Sequence, residues 1–332
     1  MIFEIPKLRS GRRTGAGVVS ARREWCRAGG FLVLAALATA GCRVASREPA
    51  AGGKVRVLAT TTVVADLVRQ VGGDRVAVSC LMAAGIDPHS YKPTPRDADR
   101  LASADLVVAN GLELEGRLAE MLRKLSRQRP VVAVAEAIPA ADLLPAGGGQ
   151  HDPHVWFDPI LWRHCGTALA EALARVDPSG AEEYRTRAAA YADTLTAVDD
   201  RVRRRIEGIP ADGRVLVTAH DAFRYFGRAY GIEVVGVQGT STESEAGLAD
   251  INRLVDLVVS RRLPAVFVET SVSDRSVAAL REGAAAQGHE VGLGGTLHSD
   301  SLGGPGSNAE TLESALESNV ATIVAALGGD RP

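Results

Sequence analysis

Residues 178–207 read PSGAEEYRTRAAAYADTLTAVDDRVRRRIE. Pro178 suits the opening turn of a helix, where a missing N–H costs nothing, and after Gly180 neither glycine nor proline interrupts the run. Tyr184, Ala188, Tyr191, Leu195, Val198, Val202 and Ile206 recur every three or four residues, the spacing of one helical face. At about 1.5 Å per residue such a helix spans on the order of 40 Å, the length of a whole lobe. It either joins two lobes or pairs with a second copy as a coiled coil. The stripe is short and carries Ala and Tyr in place of Leu/Ile heptads, which favours the connector.

Both flanks support that choice. Upstream, strand-like runs at residues 54–60, 76–81, 106–110 and 131–134 alternate with helical patterns at 63–71, 97–102 and 114–127. Residues 141–153, with Gly147, Gly148 and Gly149, read as loop, and 159–175 as helix. Downstream, strands at 214–218, 233–237, 265–268 and 289–293 alternate with helices at 221–230, 246–261, 274–287 and 309–326. Alternation at this spacing means parallel α/β sheets. The expected architecture is α/β, two (β/α) lobes with parallel sheets facing across a cleft and joined by one long helix. The expected boundaries are 54–177 for the N-terminal lobe, 178–209 for the connecting helix and 210–332 for the C-terminal lobe.

The leading segment stands apart from the fold. Lys7, Arg9, Arg12, Arg13, Arg22, Arg23 and Arg27 precede an apolar run at 31–40 and then Gly41-Cys42. That order of charge, apolar core and small residues is an export signal, and the run is too short to span a bilayer permanently. Thr39-Ala-Gly-Cys42 resembles a lipobox, with Thr39 where Leu is usual, and implies lipidation of Cys42 after removal of 1–41. A plain signal peptide cut nearby is the alternative. Residues 42–53 read as a lipid-anchored flexible tether. Without 1–41 the chain keeps 31 basic and 38 acidic residues, a balance that suits an extracytoplasmic protein and mildly attracts cations. The formal charge of −2 for the full chain and an aromatic fraction of 4% argue against nucleic-acid binding, which needs a concentrated basic face. Cys80 and Cys165 sit in a strand and a helix, which fits two buried thiols better than a disulfide.

Three of the seven histidines sit at the edges of elements beside acidic, small or proline residues. His89 lies in Asp87-Pro-His-Ser-Tyr91, His154 in Asp152-Pro-His-Val-Trp156, and His220 in Thr218-Ala-His-Asp-Ala-Phe223. A fourth candidate is Asp300, in His298-Ser-Asp-Ser-Leu-Gly303. Ligands of open α/β sheets bind at loops beyond the carboxyl ends of strands, so these four residues have a route to one cleft. Three neutral imidazoles and one carboxylate suit zinc, and manganese if the carboxylate chelates. The intervals match no short metal motif, and the two Asp-Pro-His tripeptides also read as simple turns. On the residues alone both readings stand.

The motifs appear in an order, around a central helix, that resembles the zinc/manganese-binding receptors of ABC importers, the TroA-like (cluster 9) family, over residues 54–328. The resemblance implies a non-enzymatic solute-binding protein that holds one Zn2+ or Mn2+ at His89, His154, His220 and Asp300. It further implies a membrane permease and an ATPase as partners, a lipid anchor on the outer face of a membrane, and a monomer. Many zinc receptors of this kind carry a long His/Asp/Glu-rich loop before the second ligand; here only His151 stands there. Glu269 reads either as an acceptor that fixes a ligand ring or as a helix-capping or salt-bridged carboxylate. His164, His289 and His298 are not expected to be ligands. Two other functions compete. A surface adhesin would leave the four-residue set idle. A zinc hydrolase needs an open metal position and a general base, and no H-E-x-x-H is present.

Overall fold

The computed structural model describes residues 53–328; residues 1–52 and 329–332, including the expected signal peptide, Cys42 and nearly all of the tether, lie outside the described residues. The N-terminal lobe alternates β1 (Val55–Ala59), α1 (Thr62–Gly72), β2 (Val76–Cys80), α2 (Pro95–Ser103), β3 (Leu106–Ala109), α3 (Leu118–Leu125) and β4 (Val131–Ala133). Its strands form one parallel sheet in the order β2-β1-β3-β4. Local chemistry sets the helix starts. Thr61 caps α1 through a bond from Val64 N, and Thr94 and Asp97 close a reciprocal capping box at Pro95 of α2.

A short antiparallel pair, β5 (Pro145–Gly147) and β6 (Gln150–His151), occupies the segment expected to be plain loop. Gly147, Gly148 and Gly149 all have positive φ, which lets the chain reverse there without a Cβ clash. Helix α4 (Pro159–Val176) follows, capped by Asp158, and then α5 (Ala181–Glu207), the long helix foreseen from its stripe. Acidic Glu182 and Glu183 in its first turn and Arg204 and Arg205 in its last complement the helix dipole.

In the C-terminal lobe β7 (Val215–His220), α6 (Arg224–Tyr230), β8 (Glu233–Gln238), α7 (Leu248–Ser260), β9 (Ala265–Glu269), α8 (Arg275–Ala286), β10 (Gly292–Leu297) and α9 (Leu312–Leu327) continue the alternation. β7 pairs with β8 and β9 with β10, both parallel, and β7 lies beside β9. The last strand runs three to four residues later than its sequence suggests. Gly294 and Gly295 are in it because a Cβ at Gly294 would stand 2.5 Å from the Phe267 ring, and Gly295 takes φ +135 at an irregularity in the β9 register.

Helix α5 packs against α1 and α4 on one side and α6 and α9 on the other. Its buried face, including Tyr191, Leu195 and Val198, belongs to one hydrophobic cluster that runs from Val57, Leu67 and Trp162 in the first lobe to Leu216, Phe226 and Leu316 in the second. An apolar core continuous across the connector opposes a wide hinge, because opening would expose the whole seam. Polar bonds follow the same seam. Asp66 accepts from Leu312 N at 3.0 Å, and Trp156 Nε1 donates to Ser299 O at 3.1 Å. Cys80 and Cys165 are free thiols, as expected. Among the described residues no helix is long and apolar enough to cross a membrane.

Candidate metal centre

The two Asp-Pro-His tripeptides fold alike. In each, the aspartate Oδ1 accepts the backbone N–H of the histidine two residues on, at 2.9 Å for Asp87 and His89 and 3.0 Å for Asp152 and His154. Such a turn points the ring away from its own backbone. The turns expected from the two tripeptides are therefore present, and each carries a histidine of the cluster below. His89 sits in the loop after β2, and His154 follows β6. His220 is the last residue of β7 rather than two beyond it, and Asp300 lies three residues past β10.

All four side chains converge between the lobes, and their ligand atoms lie within 4.8 Å of one another. His154 Nε2 is 3.2 Å from His89 Nε2 and 3.3 Å from His220 Nε2. Asp300 brings Oδ1 to 3.3 Å from His154 Nε2, and Oδ2 to 3.3 Å from His220 Nε2 and 4.0 Å from His89 Nε2. Four ligands at zinc's usual distances of about 2.0–2.1 Å in a tetrahedron have edges of about 3.3 Å. Four of the five separations match that figure, and His89 to Asp300, at 4.0 Å, is longer. Yet neither oxygen of Asp300 accepts a well-formed hydrogen bond, although both are buried. Burying a carboxylate in that state is costly unless a cation compensates it. The three ring nitrogens and the carboxylate thus face one another across one small centre.

Two of the rings are held from behind. His154 Nδ1 lies 2.7 Å from Asp152 Oδ1, and His220 Nδ1 lies 2.6 Å from Glu269 Oε2, while Glu269 Oε1 accepts His220 N at 2.8 Å. With Nδ1 turned to a carboxylate, each ring directs its Nε2 to the centre. Glu269 is therefore the orienting acceptor rather than a helix cap. Asp152 escaped the sequence reading as a ring acceptor because its turn role already accounted for it; an aspartate two residues before a ligand histidine is the signal. No carboxylate hydrogen-bonds the second ring nitrogen of His89 among the described residues. His89 is also the most exposed of the four, at 3% against 0% for His154 and His220.

The electrostatics follow the same division. Burial disfavours a charged His154, but Asp152 and Asp300 outweigh it and hold the ring up at about 9. Burial likewise opposes a charged His220, and Glu269 and Asp300 again prevail and raise it. For His89 burial wins and lowers the ring to about 4. Burial would raise Asp300, but His220 and His154 keep it well below the usual carboxylate range.

A strained loop wedges the two Asp-Pro-His turns in place. Leu112 and Glu113 adopt positive φ, and Glu115 accepts from Thr60 Oγ1, Asn110 N and Gly111 N. Asn110 Nδ2 reaches Pro153 O at 3.1 Å, and Gly116 lies directly against the His89 carbonyl. His151, His164, His289 and His298 lie outside the cluster. His289 Nε2 pairs with Leu263 O at 2.9 Å instead.

The sequence model of the family described as "ZnuA: Zinc-uptake complex component A periplasmic" matches residues 57–326. The chain belongs to this family. Its members are metal-binding transport receptors rather than enzymes, and the buried three-histidine, one-aspartate cluster lies within the matched residues. The manganese-binding lipoprotein MntA of Bacillus subtilis (strain 168) is 43% identical over 297 residues, covering 89% of this chain and 97% of that protein. The zinc-binding protein TroA of Treponema pallidum (strain Nichols) is 44% identical over 282 residues, covering 85% and 92%. The solved structure of the periplasmic zinc-binding protein TroA from Treponema pallidum superposes with a TM-score of 0.81 at 43% identity, covering 83% of this chain and all of that one. The ZnuA family is thus evident in both sequence and fold, including the long helix that joins the lobes.

Proposed function

We propose that this ZnuA-family chain captures one divalent transition metal at His89, His154, His220 and Asp300 and hands it to the membrane permease and ATPase of an ABC importer. The observation that carries the assignment is the convergence of four buried residues whose ligand atoms lie within 4.8 Å of one another, with both Asp300 oxygens buried and accepting no well-formed hydrogen bond. Four protein ligands complete the shell, as a carrier requires, and a hydrolase would need an open position for water. Zinc is the tighter-binding cargo, because three imidazoles and a carboxylate follow the Irving–Williams order. Manganese is the second reading, favoured by both Asp300 oxygens facing the ring nitrogens, a posture open to chelation. Export and lipidation at Cys42 would place the receptor at the outer face of a membrane, in keeping with a family described as periplasmic and a relative named as a lipoprotein. The lobes are taken as 54–177 and 210–332, joined by 178–209, and the chain as a monomer.

Competitive titration of the full chain with zinc and manganese tests the assignment. One metal per chain is expected, with zinc displacing manganese. Ligand rings must be neutral to bind. A histidine raised to about 9 is protonated below that pH, so metal must displace its proton at neutral pH. Apparent zinc affinity is therefore expected to fall as pH drops, by about tenfold per pH unit from His154 alone, beginning well above the ordinary histidine range. Affinity unchanged between pH 8 and pH 5, or binding untouched by His89→Ala, would remove the site from the account.

A further inference from the structure

His89 differs from the other two histidines in its support, and the source of its support lies in the opposite lobe. Asp87 holds the His89 turn through its Oδ1, and its Oδ2 accepts from Ser90 Oγ at 2.8 Å and from Thr242 Oγ1 at 2.6 Å. Thr242 belongs to the C-terminal lobe, in the segment between β8 and α7. That segment is mostly exposed, and Thr242 itself is half-buried against the first lobe. Its neighbour Glu243 makes one further contact there, 3.6 Å from Arg117, but both side chains are largely exposed and such a pair contributes little. Gly85, earlier in the same loop as His89, is held by Ser301 Oγ at 2.8 Å, again from the C-terminal lobe. The first ligand loop is thus pinned from across the cleft at Gly85 and Asp87, both just ahead of His89, whereas His154 and His220 are each backed by a carboxylate of their own lobe.

The metal centre is almost fully enclosed, so cargo leaves only when one ligand-bearing element moves. His154 and His220 are each fixed at Nδ1 and at the backbone N–H by one carboxylate. His89 is fixed only at its backbone N–H, by an aspartate whose other oxygen is shared with Thr242. We propose that Thr242 is a positioning residue for metal retention: through Asp87 it latches the His89 loop from the opposite lobe, and its hydroxyl sets the rate at which bound metal leaves. This rests on the metal-site reading above and adds to it which ligand lets go and what restrains it. Thr242 touches no ligand atom, so the ligand set and the stoichiometry are independent of it.

The test loads the full chain with zinc and, separately, manganese, and follows release into excess chelator by stopped flow. Thr242→Val removes the hydroxyl at nearly constant volume, and Thr242→Ser keeps it. The expected result is about tenfold faster release from Thr242→Val, with one metal still bound per chain, and release from Thr242→Ser close to that of the unaltered protein. Circular dichroism melts confirm that each variant is folded. Equal release rates from Thr242→Val and the unaltered protein would overturn the latch. So would fast release from Thr242→Ser, which would assign the effect to packing. Failure of the unaltered chain itself to bind either metal would instead strike the metal-site reading and is recorded before any variant is compared.

Discussion

Asp300→Ala is expected to weaken zinc binding by more than about a hundredfold, since loss of even an outer-shell partner costs 10–100-fold and Asp300 is the one anionic ligand in the cluster. The metal-free protein should lose stability as well. Asp300 is 1% exposed and held ionised between His154 and His220, so removing it leaves two buried rings without the carboxylate that faces them. The two effects separate in thermal unfolding. Saturating zinc at about a thousand times its dissociation constant stabilises the unaltered protein by about 4 kcal/mol and raises its Tm. Asp300→Ala should melt, without metal, below the unaltered protein and show almost no metal-induced rise. A variant that keeps the full rise would show that the carboxylate is not a ligand.

Gly116→Ala should disturb both the fold and the site. Gly116 has φ +43, and a Cβ there would stand 2.3 Å from the His89 carbonyl oxygen, a contact with backbone that no rotamer change relieves. Strain of this kind costs about 1–3 kcal/mol, and displacing the loop adds to it. Urea denaturation should show a loss of roughly 2–4 kcal/mol. Because the yielding element is the turn that carries His89, zinc affinity should fall as well, by at least about tenfold. Stability and affinity both unchanged would mean that the Gly116 loop does not brace the first ligand.

The two largest features of the molecule were legible at very different resolution. The α5 stripe, from Tyr184 to Ile206, gave the connector directly, because a helix that touches both lobes must bury one face along its whole length. The parallel strands were legible because Val-rich runs such as Val215–His220 are buried throughout. The β5–β6 pair was not: two and three residues of Pro, Gly and Gln carry no apolar alternation, and the glycine turn is indistinguishable from loop. β10 began later than expected because Gly292, Gly294 and Gly295 lack strand propensity, and the last two are there for their close approach to Phe267 and Thr322.

At the site, the four residues that cluster were legible as residue types in short motifs, and what holds them was less so. Glu269 was visible as a carboxylate at a strand end, but whether it backed His220 or capped a helix depends on β7 and β9 lying side by side. Thr242 lies 155 residues from Asp87, and Glu115 lies 55 from Thr60. Contacts at such separations exist only once the lobes are assembled, and no local pattern encodes them.

X-ray absorption of the zinc-loaded full chain tests the central claim most directly. The account predicts a first shell of three nitrogens and one or two oxygens at about 2.0–2.2 Å, with imidazole outer-shell scattering that weakens in His154→Ala. A shell containing sulfur, or one unchanged by His154→Ala, would contradict it.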